Sequence, residues 1–277
     1  MVEWAVGAPL VVKDDMGLSV SLIKPASRIV SLSPHATEII FALGAGSHVV
    51  GVDQASNYPL AAQHIKKIAD FQSVQLDKLL LLKPDLIILW QNQALEKQLA
   101  LLRKHHISVF ISRPQSFTDI ATNFERLGIL LGIPDRGKQR AQALLAEVEQ
   151  IRQTYQQKPK LTVYLQISDQ PILSVSNRLF IGKMLDYCGG DNLFAHSALP
   201  TPLVNIETVL IANPDVMFHL QQKSSFLSFW KSYSQLKAIR NKAVIAVDSD
   251  VVSRPGPRLI EGLRFMCNTM DQVRTVK

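Results

Sequence analysis

The chain has 277 residues, of which 47% are hydrophobic and only 19% charged, enough apolar material for one large core or two modest ones. The greasiest stretches, 79–82 and 86–90, are interrupted by Lys83, Pro84 and Asp85, well short of the ~18 apolar residues that a membrane span needs. The net charge of +7 is dispersed into short pairs such as Lys66-Lys67 and Arg103-Lys104, which argues against a nucleic-acid surface and leaves at most a general attraction to anionic ligands or membranes.

Residues 1–10 lack the basic head and apolar run of a targeting segment, so the chain is expected either to be cytoplasmic or to have lost a leader. Two short strands, 11–12 and 18–22, flank Asp14-Asp15-Met16-Gly17, a turn-rich tetrad, and predict a hairpin. Strand 28–32 turns at Ser33-Pro34 into a helix over 37–43 that Gly44-Ala45-Gly46 stops, and strand 49–52 follows. Helix 76–82 leads through Lys83-Pro84-Asp85 into strand 86–90, and helix 94–105 leads into strand 108–112. Strands alternating with helices predict a parallel sheet covered on both faces.

From Phe117 the spacing is helical, and after Gly132-Ile133-Pro134 a second run of strong helix formers reaches about residue 157. Its length of about 22 residues would span roughly 33 Å, enough to link two lobes, although an ordinary surface helix fits the same composition. Alternation then restarts with strand 161–167, helix 181–188, helix 206–212, strand 216–220, helix 224–239, strand 243–247 and helix 258–274. The expected fold is α/β, two Rossmann-like lobes with parallel-sheet cores: residues 9–133, a linking helix over 134–158, and residues 159–277.

A weak internal repeat supports that division. The fourteen residues from Asp77 to Trp90 align without gaps on those from Glu207 to Leu220, with the acid, the Pro-Asp pair (Pro84-Asp85, Pro214-Asp215) and the apolar strand all coinciding. In each copy the acid suits a helix N-terminus and Pro-Asp makes the turn before a buried strand.

The constellations of common enzymes are missing: no Gly-rich phosphate loop, no GxSxG and no HExxH. The adjacent pair His105-His106 reads as a solvated helix end. Cys188 and Cys267 show no zinc spacing. Two free thiols and one bridge suit them equally well, and a bridge closing about 80 residues would restrict the unfolded chain by roughly 4 to 5 kcal/mol. No metal or catalytic group is predicted. Loops at the carboxyl ends of the strands instead carry aromatics and amides suited to holding a ligand: Ser33-Pro34-His35, 53–58, Phe71-Gln72, Trp90-Gln91-Asn92, 169–173, Pro200-Thr201-Pro202 and 248–254.

The motifs Arg28-Ile29-Val30-Ser31-Leu32-Ser33-Pro34-His35-Ala36-Thr37-Glu38, Phe41-Ala42-Leu43-Gly44, Val50-Gly51-Val52, Asn57-Tyr58-Pro59 and Lys83-Pro84-Asp85-Leu86 resemble the periplasmic binding proteins with a single long linking helix, over almost the whole chain from Pro9. That family serves importers for cobalamin, haem and ferric siderophores. Trp90, the Cys188-Gly189-Gly190-Asp191-Asn192-Leu193-Phe194 run with Cys267, and the run from Ser249 to Arg258 are most similar to its cobalamin-binding branch. The resemblance implies a periplasmic monomer that captures a corrinoid between its lobes, a Cys188–Cys267 disulfide, and docking of Asp77 and Glu207 onto arginines of the membrane permease of an ABC importer. It implies ligand contacts from Tyr58, Phe71, Trp90, Leu173, Thr201, Asp250 and Arg254. The chain departs from the branch at Phe71 and Thr201, which replace tryptophans, and at Leu173, which replaces a phenylalanine, so stacking area on the second lobe is reduced. The alternative is a haem- or ferric-siderophore-binding protein of the same fold, haem being the main competitor, with Tyr58 the residue to ligate its iron. Two further readings are a cytoplasmic doubly wound enzyme with reduced cysteines, and a metal receptor using His35 and Asp250.

Overall fold

The computed structural model describes residues 8–70, 73–90, 102, 107–220 and 225–275. The chain divides into two compact units, Met1–Leu145 and Ala146–Lys277. Among the described residues no helix is long and apolar enough to cross a membrane.

The first unit opens with the expected hairpin, β1 (Leu10–Lys13) antiparallel to β2 (Ser19–Leu22). Its turn is held by Asp14, whose Oδ1 accepts the amides of Met16 and Leu18 at 2.9 Å, and by Gly17 at φ +77°, a region glycine enters without strain. The sheet has the order β5-β4-β3-β6-β7 and is parallel throughout. Its strands are β3 (Ile29–Leu32), β4 (Val49–Asp53), β5 (Lys67–Ala69), β6 (Leu86–Leu89) and β7 (Ser108–Ile111). Every residue of β3 and β6 is buried, as mainly apolar strands covered on both faces should be, and Ser31 is the one polar residue among them. Between the strands come α1 (Pro34–Ala42), the single turn α2 (Leu60–Gln63) and α3 (Leu76–Leu81). Pro34 begins α1 where a missing amide costs nothing, and Gly44 at φ +74° ends it. The 94–105 helix of the sequence reading falls almost wholly outside the described residues. After β7, α4 (Phe117–Leu130) is capped by Ser116, whose Oγ accepts the Asp119 amide at 3.1 Å. The long helix α5 (Pro134–Tyr155) follows, and the division between the units falls within it.

The second unit repeats the plan. Its sheet runs β10-β8-β11-β12, all parallel, from β8 (Leu161–Asp169), β10 (Gly190–Asn192), β11 (Val216–His219) and β12 (Val244–Ala246), with β9 (Ile172–Ser174) antiparallel to β8. The helices are α6 (Phe180–Tyr187), α7 (Ile206–Ala212), α8 (Ser225–Lys231), α9 (Lys237–Arg240), α10 (Ser249–Val252) and α11 (Leu259–Thr275). Counting parallel strands in chain order, the first sheet runs third-second-first-fourth-fifth and the second runs second-first-third-fourth, so in both the first strand is central and the order reverses beside it. Cys188, at the end of α6, and Cys267, on α11, are joined by a disulfide. The sequence reading of one helix over 224–239 is corrected. It breaks after Lys231 and restarts at Lys237, whose amide donates to Asn213 Oδ1 at 2.8 Å while the Ala238 amide donates to the Pro214 carbonyl at 3.2 Å. A tertiary cap thus overrides an uninterrupted helical composition.

The internal repeat is structural as well as sequential. Lys83 and Asn213, aligned in the repeat, both have φ +46° and turn the chain from helix to strand. Asp85 and Asp215, also aligned, clasp the start of the adjacent central strand. The Asp85 amide donates to the Arg28 carbonyl at 3.0 Å and its carboxylate accepts the Ser27 amide at 2.8 Å. The Asp215 amide donates to the Thr162 carbonyl at 2.9 Å and its carboxylate accepts the Thr162 amide at 3.0 Å.

Candidate functional site

The chain order reverses between β3 and β6 in the first sheet and between β8 and β11 in the second, so the crevice beyond the carboxyl ends of each pair is where a ligand is received in folds of this kind. In the first unit these are the ends of β3 and β6. Trp90 emerges from β6 half-buried, with its ring 5.5 Å from that of His35 in an edge-to-face arrangement. His35 is buried at the start of α1, Nδ1 hydrogen-bonded to Ser33 Oγ at 2.6 Å and Nε2 to Ser112 Oγ at 2.7 Å. Burial pushes its pKa down to about 3, so the imidazole beside Trp90 is neutral. Asn123 Nδ2 donates to Ser112 Oγ at 3.0 Å and to Asp15 Oδ2 at 2.9 Å, and Asp15 pairs with Arg126 at 2.9 Å. A continuous polar chain thus runs from the hairpin turn to the back of Trp90. Burial raises the Asp15 carboxyl, against the lowering effect of its bonds to Asn123 and the Arg113 amide.

The loop leading to Tyr58 is anchored from below. Asp53, at the end of β4, accepts the Ser56 hydroxyl and the Ala55 amide, and burial nonetheless raises its carboxyl. Ser56 Oγ also meets Thr37 Oγ1 at 2.8 Å, and Lys67 Nζ donates to the Ser56 carbonyl at 2.6 Å. Tyr58, beyond this anchor and before a cis Tyr58–Pro59 bond, is 44% exposed. Phe71 lies outside the described residues.

In the second unit Leu173 sits half-buried on β9 and bridges to Leu203. The Ser174 and Ser176 amides donate to the carbonyls of Pro202 and Pro200 at 3.0 and 2.9 Å, which fixes the turn that exposes Thr201. Asp250 and Arg254 form an i,i+4 pair at 2.7 Å beginning in α10, whose N-cap Asp248 accepts the Asp250 amide at 2.9 Å. Asp77 and Glu207 both stand exposed in the first turns of α3 and α7.

One cluster escaped sequence reasoning. At the carboxyl ends of β8 and β11, His219 Nε2 contacts Asp169 Oδ1 at 3.0 Å, and that oxygen also accepts Gln166 Nε2 at 2.8 Å. Gln166 Oε1 accepts Tyr164 Oη at 2.9 Å and Trp230 Nε1 at 3.1 Å, and the Phe226 ring stacks on His219 at 4.1 Å. Three of these residues, Gln166, Asp169 and Phe226, line a cavity of about 250 Å³ together with Gln170, Ile172 and Phe229. The signal was present in the repeat, which aligns polar His219 with apolar Leu89. The groups gathered in each unit are rings, amides and paired charges, side chains suited to stacking and directional hydrogen bonds. Among the described residues no three His, Cys, Asp or Glu side chains converge as a metal site, and both nitrogens of His35 are engaged by serines.

Comparison with known proteins matches residues 29–251 to the periplasmic binding protein family. A vitamin B12-binding protein of Vibrio parahaemolyticus is 31% identical over 252 residues, spanning 91% of this chain and 92% of that protein. Among solved structures, the periplasmic vitamin B12-binding protein of Vibrio cholerae aligns with a TM-score of 0.81 at 32% identity, covering 90% of this chain and 98% of that one. The apo form of a periplasmic heme-binding protein from Roseiflexus sp. RS-1 aligns at 0.79 with 25% identity, covering 90% of this chain and 99% of that one. The chain belongs to the periplasmic binding protein family.

Proposed function

We propose that this protein is a periplasmic receptor that captures cobalamin or a related corrinoid and delivers it to the membrane permease of an ABC importer. The observation that carries this reading is the similarity, at about one residue in three and over nine-tenths of the chain, to proteins named for vitamin B12 binding. The exposed ring of Tyr58, the half-buried Trp90 and the Arg254–Asp250 pair supply stacking surface and directional charge for a large planar ligand with amide and phosphate groups. Phe71, Leu173 and Thr201 complete the proposed contact set, and binding involves no covalent change. Asp77 and Glu207 are assigned to permease docking because both are exposed carboxylates at equivalent points of an internal repeat, as suits a two-fold partner. The protein acts as a monomer.

Haem is the second reading, favoured by the exposure of Tyr58 and by the heme-binding structural neighbour. Titration calorimetry with cyanocobalamin and with haemin separates the two. Heat with cyanocobalamin, and none with haemin, is expected. Tight haemin binding whose absorption band disappears in Tyr58→Phe would replace cobalamin with haem.

A further inference from the structure

The helix of each repeat presents more than its acid. Residue by residue, α3 and α7 have the same exposure pattern: the first residue half-buried, the acid and its successor exposed, Leu79 or Val209 fully buried, Leu80 or Leu210 half-buried, and then an aliphatic side chain in open solvent. That last residue is Leu81 in one copy, 76% exposed, and Ile211 in the other, 86% exposed. They are two of the three most exposed large hydrophobic residues among the described residues. A single exposed leucine is ordinary on a protein surface. Two of them at aligned positions of a repeat, each four residues after an exposed carboxylate, are a pattern. Four residues bring a helix back to the same face, so Asp77 with Leu81, and Glu207 with Ile211, each form one acid-plus-aliphatic knob.

We infer that Leu81 and Ile211 are the apolar anchors of permease docking, each entering a greasy depression beside the cation that receives Asp77 or Glu207 on one of two identical permease subunits. The inference rests on the docking role proposed above for the two acids and adds the component that holds the complex once charge has steered it together. Small interfaces depend on a desolvated apolar anchor surrounded by polar contacts. Rim charges act chiefly on the rate of encounter and its salt dependence, whereas buried anchors act on dissociation. The occupant is therefore an integral membrane dimer that pairs a basic residue with an apolar notch. Each knob lies wholly within its own unit, so the argument needs only the repeat.

The test measures association of the full chain, without ligand, with lipid nanodiscs holding the two-fold permease of the importer from the same source organism. Leu81→Ser and Ile211→Ser are each expected to weaken docking about tenfold, through faster dissociation that salt barely alters. Asp77→Asn and Glu207→Gln are expected to slow association and flatten its salt dependence. Ile23→Ser, 79% exposed in the wild-type chain and outside the repeat, serves as the control and should dock normally. Unchanged melting curves exclude misfolding, and cyanocobalamin affinity measured separately keeps the ligand reading apart from the docking reading. If the acid variants weaken docking while both serine variants match Ile23→Ser, the anchors are refuted and the acids stand. If acid and serine variants alike dock normally, or the unmodified chain does not dock, both readings fall.

Discussion

Replacing His35 with glutamine should remove a specific loss of stability in mild acid. Free histidine titrates near 6.5, whereas His35, sealed between Ser33 and Ser112, is held down to about 3. Below the ordinary value the unfolded chain therefore takes up a proton that the folded chain refuses. The contribution is fully present above about pH 6.5 and is lost progressively as pH falls toward 3. At about 1.4 kcal/mol per pH unit, the one and a half units between 6.5 and 5 amount to about 2 kcal/mol. Buried Asp15 and Asp53, whose pKa values are raised, act in the opposite sense by favouring the folded state as they protonate. Subtracting the variant's curve from the wild-type curve cancels them. Urea unfolding at pH 8, 7, 6 and 5, followed by circular dichroism, gives both curves. The wild type should lose about 2 kcal/mol relative to His35→Gln between pH 8 and pH 5. Parallel curves would mean that His35 titrates normally and that water reaches its ring.

Replacing Cys188 and Cys267 together by serine opens a loop whose ends are 79 residues apart, and the chain-entropy relation gives a loss of about 4.5 kcal/mol. Urea unfolding monitored by circular dichroism should show this loss only in the transition of the second unit. Lys83→Gly should stabilise the protein by about 0.5 to 1 kcal/mol, because φ +46° suits glycine and strains lysine. The aligned Asn213→Gly should instead destabilise it by about 1 kcal/mol, since its side chain caps Lys237, and equal melting shifts in the two variants would contradict that distinction. Arg254→Ala should weaken cyanocobalamin binding about tenfold or more, read by calorimetry at a temperature where circular dichroism shows the variant folded.

How far the sequence could be read depended on how local each feature is. β3, β6 and β11 were legible because strands buried on both faces are predominantly apolar, interrupted only by Ser31 in β3 and His219 at the end of β11, and the repeat was legible because Pro-Asp marks the same helix-to-strand turn twice. The strands β5, β9 and β10 were missed, each only three residues long and too short to show a period. The break within 224–239 was missed because the group that causes it, the Asn213 side chain, comes from another element. The same holds at the site. Tyr58 and Trp90 announce themselves as aromatics at strand ends, but the chain from Asp15 through Asn123 and Ser112 to His35 joins residues with separations of up to 108, which no motif spans. The cysteines were undecided on residue count alone; the family resemblance implied their pairing, and the approach of α6 to α11 bears it out.

The two copies of the repeat share a shape but differ in chemistry. Lys78 and Lys83 accompany Asp77, whereas their counterparts Thr208 and Asn213 are uncharged, and Asn205 Nδ2 already donates to Glu207 at 3.1 Å. On the docking reading, a machine built of twin subunits would meet two unequal hands. The receptor would then impose a polarity on a transporter that has none of its own, and one subunit of the pair would be set apart from the moment of arrival.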